Sequence, residues 1–334
     1  MSKLKAIIPV AGAGTRLRPF TYTQPKALIP IAGKPIISYI IDDLKSHGVS
    51  EFLFIVGYFG EKIVDYVKEN YADLRTEFVF QAKREGIGQA VFLVKEFIRP
   101  EDDLIIVLGD SLIDISKEFY LSKMSSIAIK KVKDPSNFGV VELGDNGQII
   151  RFVEKPKMPK SNLALTGLYK IVDTEILFSI LEKYAKDGMR TEGEFQLTDV
   201  LNEMLKQGVE FDLVTADHWL DVGNGEVLLN SNSLLLKKYG GFIAPTARIE
   251  NSVIVEPVYI ADNCEIINAI VGPDVSLGVN TRIENSIITN GIIGSFSKLD
   301  TMKLSEFVIG SDSSLKGASQ TITVGDNTEI DFSR

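Results

Sequence analysis

The chain has 334 residues, 45% of them apolar, with 36 basic residues against 45 acidic ones and a single cysteine. That length suits two domains, and that apolar share builds a core and excludes disorder. A net charge of −9 speaks against a protein that coats nucleic acid. One cysteine excludes an internal disulfide framework and fits a reducing compartment.

The opening apolar stretch is broken by Pro9 and Gly12 and is too short for a secretory segment. No apolar run approaches a membrane span. A cytoplasmic protein without membrane or nucleic-acid partners is expected.

Ala6 to Val10 reads as the first strand of a buried parallel sheet. The glycine-rich turn that follows, Ala11-Gly12-Ala13-Gly14-Thr15, exposes backbone N–H groups at one point, a nest for anionic oxygens. Arg16 and Lys26 set two cations beside it, a combination that suits a polyphosphate. The turn is not a dinucleotide fingerprint, because Leu17 stands where the third glycine belongs, and the Walker A spacing is absent.

Ile36 to Leu44 repeats at helical spacing, with Gly48 as the stop. Strands are expected at Phe52 to Val56, Thr76 to Gln81 and Leu104 to Leu108, with helices at Glu61 to Glu69 and Gln89 to Phe97. Such alternation means a Rossmann-like α/β sheet. Asp110 follows the third of these strands, at the carboxyl edge where ligands bind in such sheets. Mg²⁺ prefers one or two carboxylates plus phosphate oxygens, which makes Asp110 a candidate ligand.

From about residue 125 strand patterns dominate, at Ser126 to Val132, Phe138 to Leu143, Ile149 to Glu154 and Leu163 to Val172. They give a mixed sheet closing one side of a pocket. Helices at Glu175 to Tyr184 and Glu194 to Lys206, a strand at Phe211 to Thr215 and a helix at Val227 to Lys238 complete a domain of residues 1–240. Gly240-Gly241 is the expected joint. His47 reads as a residue at a helix C-terminus, and His218 has no assigned role.

After Gly241, Ile249, Ile266 and Ile283 recur 17 residues apart, each followed by a related triplet and an aliphatic. Shorter aliphatic steps of roughly six residues run inside each repeat. The pattern predicts a left-handed parallel β-helix of hexapeptide repeats over 241–334, with a loop protruding near Gly291 to Lys303 and the repeat resuming at Leu304 to Val308 and Ile322 to Ile330. Cys264 reads as a small packing residue there. Residues 241–334 hold 12 acids and 6 bases, so most of the net negative charge lies away from the anion nest.

The full string from Ala11 to Pro35 resembles the signature of sugar-1-phosphate nucleotidylyltransferases. The resemblance continues at Gln81 with Gly86 to Ala90, at Asp110, at Phe138-Gly139, at Glu154-Lys155-Pro156, at Thr166-Gly167 and at Asp221. It implies an NTP wrapped by Ala11, Gly12, Gly14 and Thr15, with the base read by Gln81 and Gly86. A glutamine amide offers one donor and one acceptor to uracil or thymine. The sugar would meet Gly139, Glu154 and Gly167, and the catalytic cations would be Arg16, Lys26 and Lys155. Mg²⁺ on Asp110 and Asp221 is implied as cofactor, with dTTP or UTP and a sugar-1-phosphate as substrates.

The layout most resembles long-form glucose-1-phosphate thymidylyltransferases. Pro9 to Gly12 has the wording of uridylyltransferases instead, and Ser111 departs from the asparagine that often follows the family's aspartate. A catalytically silent regulatory homologue is the alternative from another class. Acyltransferases on β-helices use a histidine base, and residues 241–334 contain none, so the repeat is expected to drive homo-oligomerisation.

Overall fold

In the computed structural model, which describes residues 3–318, the chain divides into two compact units, one ending at Ser231 and the other beginning at Asn232. The division falls within the Gly225–Tyr239 helix, upstream of Gly240-Gly241.

The first unit is built on one mixed sheet. Its main path runs Ile149–Val153, Val140–Leu143, Leu163–Ile171, Asp103–Val107, Leu4–Pro9, Glu51–Val56, Arg75–Phe80. The last four strands are parallel, so their carboxyl ends share one edge. Leu163–Ile171 runs antiparallel to Asp103–Val107 and turns the sheet into a mixed one. Parallel strands covered on both faces read as continuous apolar runs, which is why Ala6, Ile7 and Ile8 are all fully buried. Ile7, Leu53, Ile55, Leu104 and Ile106 share a core with Val91, Val94, Leu177, Leu181 and Phe195.

The strands and helices fall close to their expected places, with two informative departures. The helix expected from Glu194 starts at Leu197, because Phe195 is engaged by its backbone elsewhere. A ribbon of Ser111–Asp114 and His218–Asp221, not foreseen, pairs Asp221 with Ser111.

Lys5 carries a buried charge under the sheet. Its ammonium meets Asp102 at 2.8 Å and Glu51 at 3.2 Å and donates to the Phe97 carbonyl at 2.7 Å. Lys3 and Lys5 together hold the Glu51 carboxyl down at about 2, against an ordinary 4.5. A depressed folded value means stability that is present above the ordinary range and lost as pH falls through the folded one. Glu51→Gln should therefore lower the melting temperature at pH 7 and shrink the gap from wild type as pH approaches about 2, read by thermal melts across acid pH. An unchanged gap would refute it.

The second unit is a stack of parallel strand columns. Arg248–Glu250 pairs in register with Glu265–Ile267 and that with Arg282–Glu284, so Ile249, Ile266 and Ile283 sit directly above one another. The next step pairs Ile283 with Leu299, one residue shorter. No loop protrudes between Gly291 and Lys303. Ile287–Ile293, Lys298–Asp300 and Lys303–Ile309 continue the columns there. The expected repeat at Ile322 to Ile330 lies outside the described residues.

Left-handed corners explain the asparagines. Asn251, Asn268, Asn285 and Thr301 form one column of positive φ, Asn263, Asn280, Phe296 and Asp312 a second, and Asp274, Asn290 and Glu306 a third. Asparagine tolerates that conformation better than other non-glycine residues. Inside the coils Ile260, Cys264, Ile266, Val271, Ile283 and Ile288 are buried, and burial pushes the Cys264 thiol up, consistent with a packing role.

Candidate active site

The parallel strands deliver the candidate residues to one edge. After Pro9 the chain enters the glycine turn, and after Val107 it reaches Gly109 and Asp110. The two strand ends lie so close that a Cβ on Gly109 would sit 2.2 Å from Val10 Cγ1. Likewise a Cβ on Gly57, beyond the neighbouring strand, would lie 2.8 Å from Ala11 Cβ.

Among the described residues, no protein acceptor takes the N–H groups of Ala11, Gly12, Ala13 or Gly14. Gly14 adopts φ 59°, which turns the loop into the short Thr15–Leu17 helix. A Cβ there would lie 2.9 Å from Thr21 Cγ2 and 3.0 Å from Lys26 Cβ. The buried Thr21 hydroxyl donates to the Gly14 carbonyl at 2.8 Å and pins the turn. Sequence reading passed over Thr21, since a lone threonine carries no signal without its partner. Open space surrounds Gly12, so that position leaves room above the amides.

Lys26 and Asp110 meet directly, Nζ to Oδ2 at 2.5 Å. The unforeseen ribbon brings Asp221 to them, as the Val222 N–H donates to the Asp110 carbonyl at 3.0 Å. A Cβ on Gly223 would lie 3.4 Å from Asp221 Oδ2 and 3.6 Å from Arg16 Cζ, so Arg16 faces the same carboxylate. Burial pushes the Asp221 carboxyl up, the charge of Asp110 adds to that, and Lys26, Arg16 and Lys155 pull the other way. Two carboxylates and a cluster of cations from four separate stretches thus converge. Among the described residues no group of three or more acidic, histidine or cysteine side chains forms a metal cage. Two carboxylates at a cleft with room for further oxygens nonetheless fit a hard cation that shares its shell with phosphate.

Glu154 and Lys155 end the Ile149–Val153 strand. Lys155 is held at φ 37°, uncommon for a residue with a side chain, and its ammonium lies 3.5 Å from Glu154 Oε1. Burial pushes the Glu154 carboxyl up. Its Oε2 accepts a long contact from the Thr198 hydroxyl at 3.4 Å and would lie 3.2 Å from a Cβ on Gly139. Gly167, at φ 87°, has its Cβ direction filled by Leu108 at 2.8 Å. Its position is thus explained by packing and backbone conformation.

Gln81 is buried just past the Arg75–Phe80 strand. Its amide nitrogen donates to Gln89 Oε1 at 2.6 Å and more weakly to the Gly86 carbonyl at 3.4 Å. Gly86 takes φ 107° at the start of the Ile87–Phe92 helix. Gln89 is a partner that the sequence placed nearby without a role. His47 stacks on Tyr120 at 4.0 Å between ring centres, and its Nδ1 lies 2.9 Å from the Asp43 carbonyl, away from these groups.

An anion nest ringed by cations and carboxylates at the open end of a parallel sheet suits a ligand that carries phosphate groups. The nucleotidyl transferase family model matches residues 5–238, and the chain belongs to that family. It is 38% identical over 259 residues to the bifunctional protein GlmU of Methanococcus maripaludis; that match takes in 76% of this chain and 60% of the relative's length. It is 32% identical to a glucose-1-phosphate thymidylyltransferase of Streptomyces griseus, over 89% of this chain and 82% of that one. A crystal structure of UDP-glucose pyrophosphorylase bound to UDP-glucose superposes with a TM-score of 0.61 at 26% identity, covering 71% of this chain and 100% of that one.

Proposed function

We propose that the chain is a sugar-1-phosphate nucleotidylyltransferase that forms an NDP-sugar and pyrophosphate from an NTP and a sugar-1-phosphate. The observation that carries this reading is the meeting of Lys26, Asp110, Asp221 and Arg16 beside the open amide nest. The sugar phosphate is already anionic at neutral pH and needs no general base. Its oxygen forms a bond to the α-phosphorus as the bond to pyrophosphate breaks, so the chain's task is alignment and charge neutralisation.

In this reading Ala11, Gly12, Gly14 and Thr15 cradle the triphosphate, and Gln81 and Gly86 meet the base. Lys26 neutralises charge at the reacting phosphates, Arg16 steadies the leaving pyrophosphate, and Lys155 holds the incoming phosphate. Glu154 accepts from sugar hydroxyls beside Gly139 and Gly167. Asp110 and Asp221 would hold Mg²⁺, which when bound supplies positive charge to the phosphates.

The favoured substrates are dTTP and glucose-1-phosphate, supported by the Streptomyces griseus relative and its coverage of both chains. Uridylyl transfer is the second reading, favoured by the Pro9 to Gly12 wording and by the UDP-glucose pyrophosphorylase likeness. Pyrophosphate release measured across UTP, dTTP, CTP and ATP with several sugar-1-phosphates decides between them. Release from no pair would overturn the activity.

The repeat unit is proposed as a left-handed β-helix that assembles copies of a cytoplasmic enzyme. Val253, Ile270 and Ile287 stack in one register and stay 56%, 38% and 44% exposed, an aliphatic column on the outer surface. The neighbouring column of Arg248, Glu265 and Arg282 is charged and suits water. Ile270→Lys should yield a smaller species in light scattering, with turnover retained. An unchanged mass would remove that face from the assembly.

A further inference from the structure

The loop between Gly188 and Leu197 holds the turn that carries Gly86. The Phe195 N–H donates to the Glu85 carbonyl at 2.6 Å, and the Gly88 N–H donates to the Phe195 carbonyl at 2.9 Å. These two bonds fasten the turn from both sides. A Cβ on Gly86 would lie 2.4 Å from the Phe195 carbonyl oxygen, and one on Gly88 would lie 2.7 Å from its ring. Both glycines are therefore required by Phe195. Phe195 is itself fixed, with only 1% of its surface exposed.

Arg190 closes the loop onto the same turn. Its Nη2 reaches Glu85 Oε2 at 2.6 Å, its Nη1 donates to the Met189 carbonyl at 2.8 Å, and its guanidinium carbon lies 5.4 Å from the Phe195 ring centre. The turn in turn sets the edge that Gln81 presents, since Gln81 donates to Gln89 and to the Gly86 carbonyl. The chain of contacts runs from Arg190 through Glu85 and Gly86 to the Gln81 amide without a break.

We propose that Arg190, Glu85 and Phe195 are positioning residues for base recognition, holding the Glu85 to Gln89 turn so that Gln81, whose amide nitrogen is committed to Gln89 and the Gly86 carbonyl, offers a fixed carbonyl oxygen to the ring N–H of a pyrimidine. This rests on the reading in which Gln81 meets the base. Among the described residues, no hydrogen bond or ion pair links any of the three to Lys26, Glu154 or Lys155. The carboxyl-terminal part of the segment enters the buried start of the Leu197–Lys206 helix, so loosening Arg190 leaves Thr198 and Glu154 in place.

The test uses Arg190→Ala, Glu85→Ala, their double variant and the exchanged pair R190E/E85R. Both partners are partly exposed, 30% and 37%, so their loss leaves the fold standing and changes affinity by about fivefold at most. The expected result is a KM for the preferred NTP raised by about that factor, with the KM for sugar-1-phosphate and the melting temperature unchanged. Preference for UTP or dTTP over ATP should relax in step. The double variant should be no worse than either single one, and the exchanged pair should recover affinity. Equal rises in both KM values, an unmoved NTP KM or an additive double variant overturns the inference. If wild type releases no pyrophosphate from any substrate pair, the activity falls separately. The inference is then decided by calorimetric binding of UTP and dTTP: weaker binding by Arg190→Ala upholds it, and equal binding overturns it.

Discussion

Lys26→Ala should cut turnover by about a hundredfold or more while the protein melts within about 4 °C of wild type. The side chain joins two parts of the site that the sequence keeps far apart. Its Cβ lies 3.0 Å from where a Cβ on Gly14 would sit, and its ammonium meets Asp110. In the free chain that ammonium neutralises a carboxylate. In the proposed reading the same charge stands beside the substrate phosphates, and on the glycine turn only Arg16 adds a further positive charge near Asp221. Removing it leaves the two carboxylates and the phosphate anions to repel one another in the transition state. The fold loses little, because Asp110 stays partly open to water and can be solvated once the ammonium is gone, so the half-buried pair contributes about 1 kcal/mol. Pyrophosphate release and a thermal melt on the same preparation check both halves. Release near the wild-type rate would sink the role given to Lys26.

The same residue shows what a sequence discloses and what it withholds. The buried strands announce themselves, because a strand covered on both faces must be apolar at every position, as Ala6 to Ile8 and Phe52 to Val56 are. The glycine turn and the residues ending each parallel strand were legible for the same reason. The Lys26–Asp110 pair and the Asp221–Ser111 register were not, since both join stretches that no local pattern connects. Glu194 to Gln196 looked helical by composition, yet Phe195 gives its backbone to Glu85 and Gly88, and a non-local bond overrode local propensity. The repeat was visible while its step was 17 residues and faded where Leu299 follows Ile283 by 16. A fixed period was the signal, and one residue was enough to break it. The corner asparagines were in plain sight, but only the backbone angles show that each sits where a left-handed turn is needed.

Asp221→Asn should be more stable than wild type without ligands, and nearly inactive. Burial and the neighbouring Asp110 both disfavour a charge on Asp221, so its carboxyl is raised above the ordinary value of 3.8. A raised folded value means that the folded chain holds a proton where the unfolded chain has lost it. The associated stability is complete below the ordinary range and is lost as pH rises through the raised value. This is opposite in sign to Glu51, so the effect must be read as the difference between variant and wild type. Asparagine has the shape of the protonated side chain and carries no charge at any pH. The gap in melting temperature should therefore open in favour of the variant as pH rises from the ordinary carboxylate range to neutrality. Turnover should move the other way, falling by about a hundredfold or more, because in the proposed reading the Asp221 carboxylate would hold a cation together with phosphate. A chelator should silence wild type to a similar degree. A variant that melts lower than wild type at neutral pH would contradict the electrostatic argument, and one that keeps its turnover would remove Asp221 from the site.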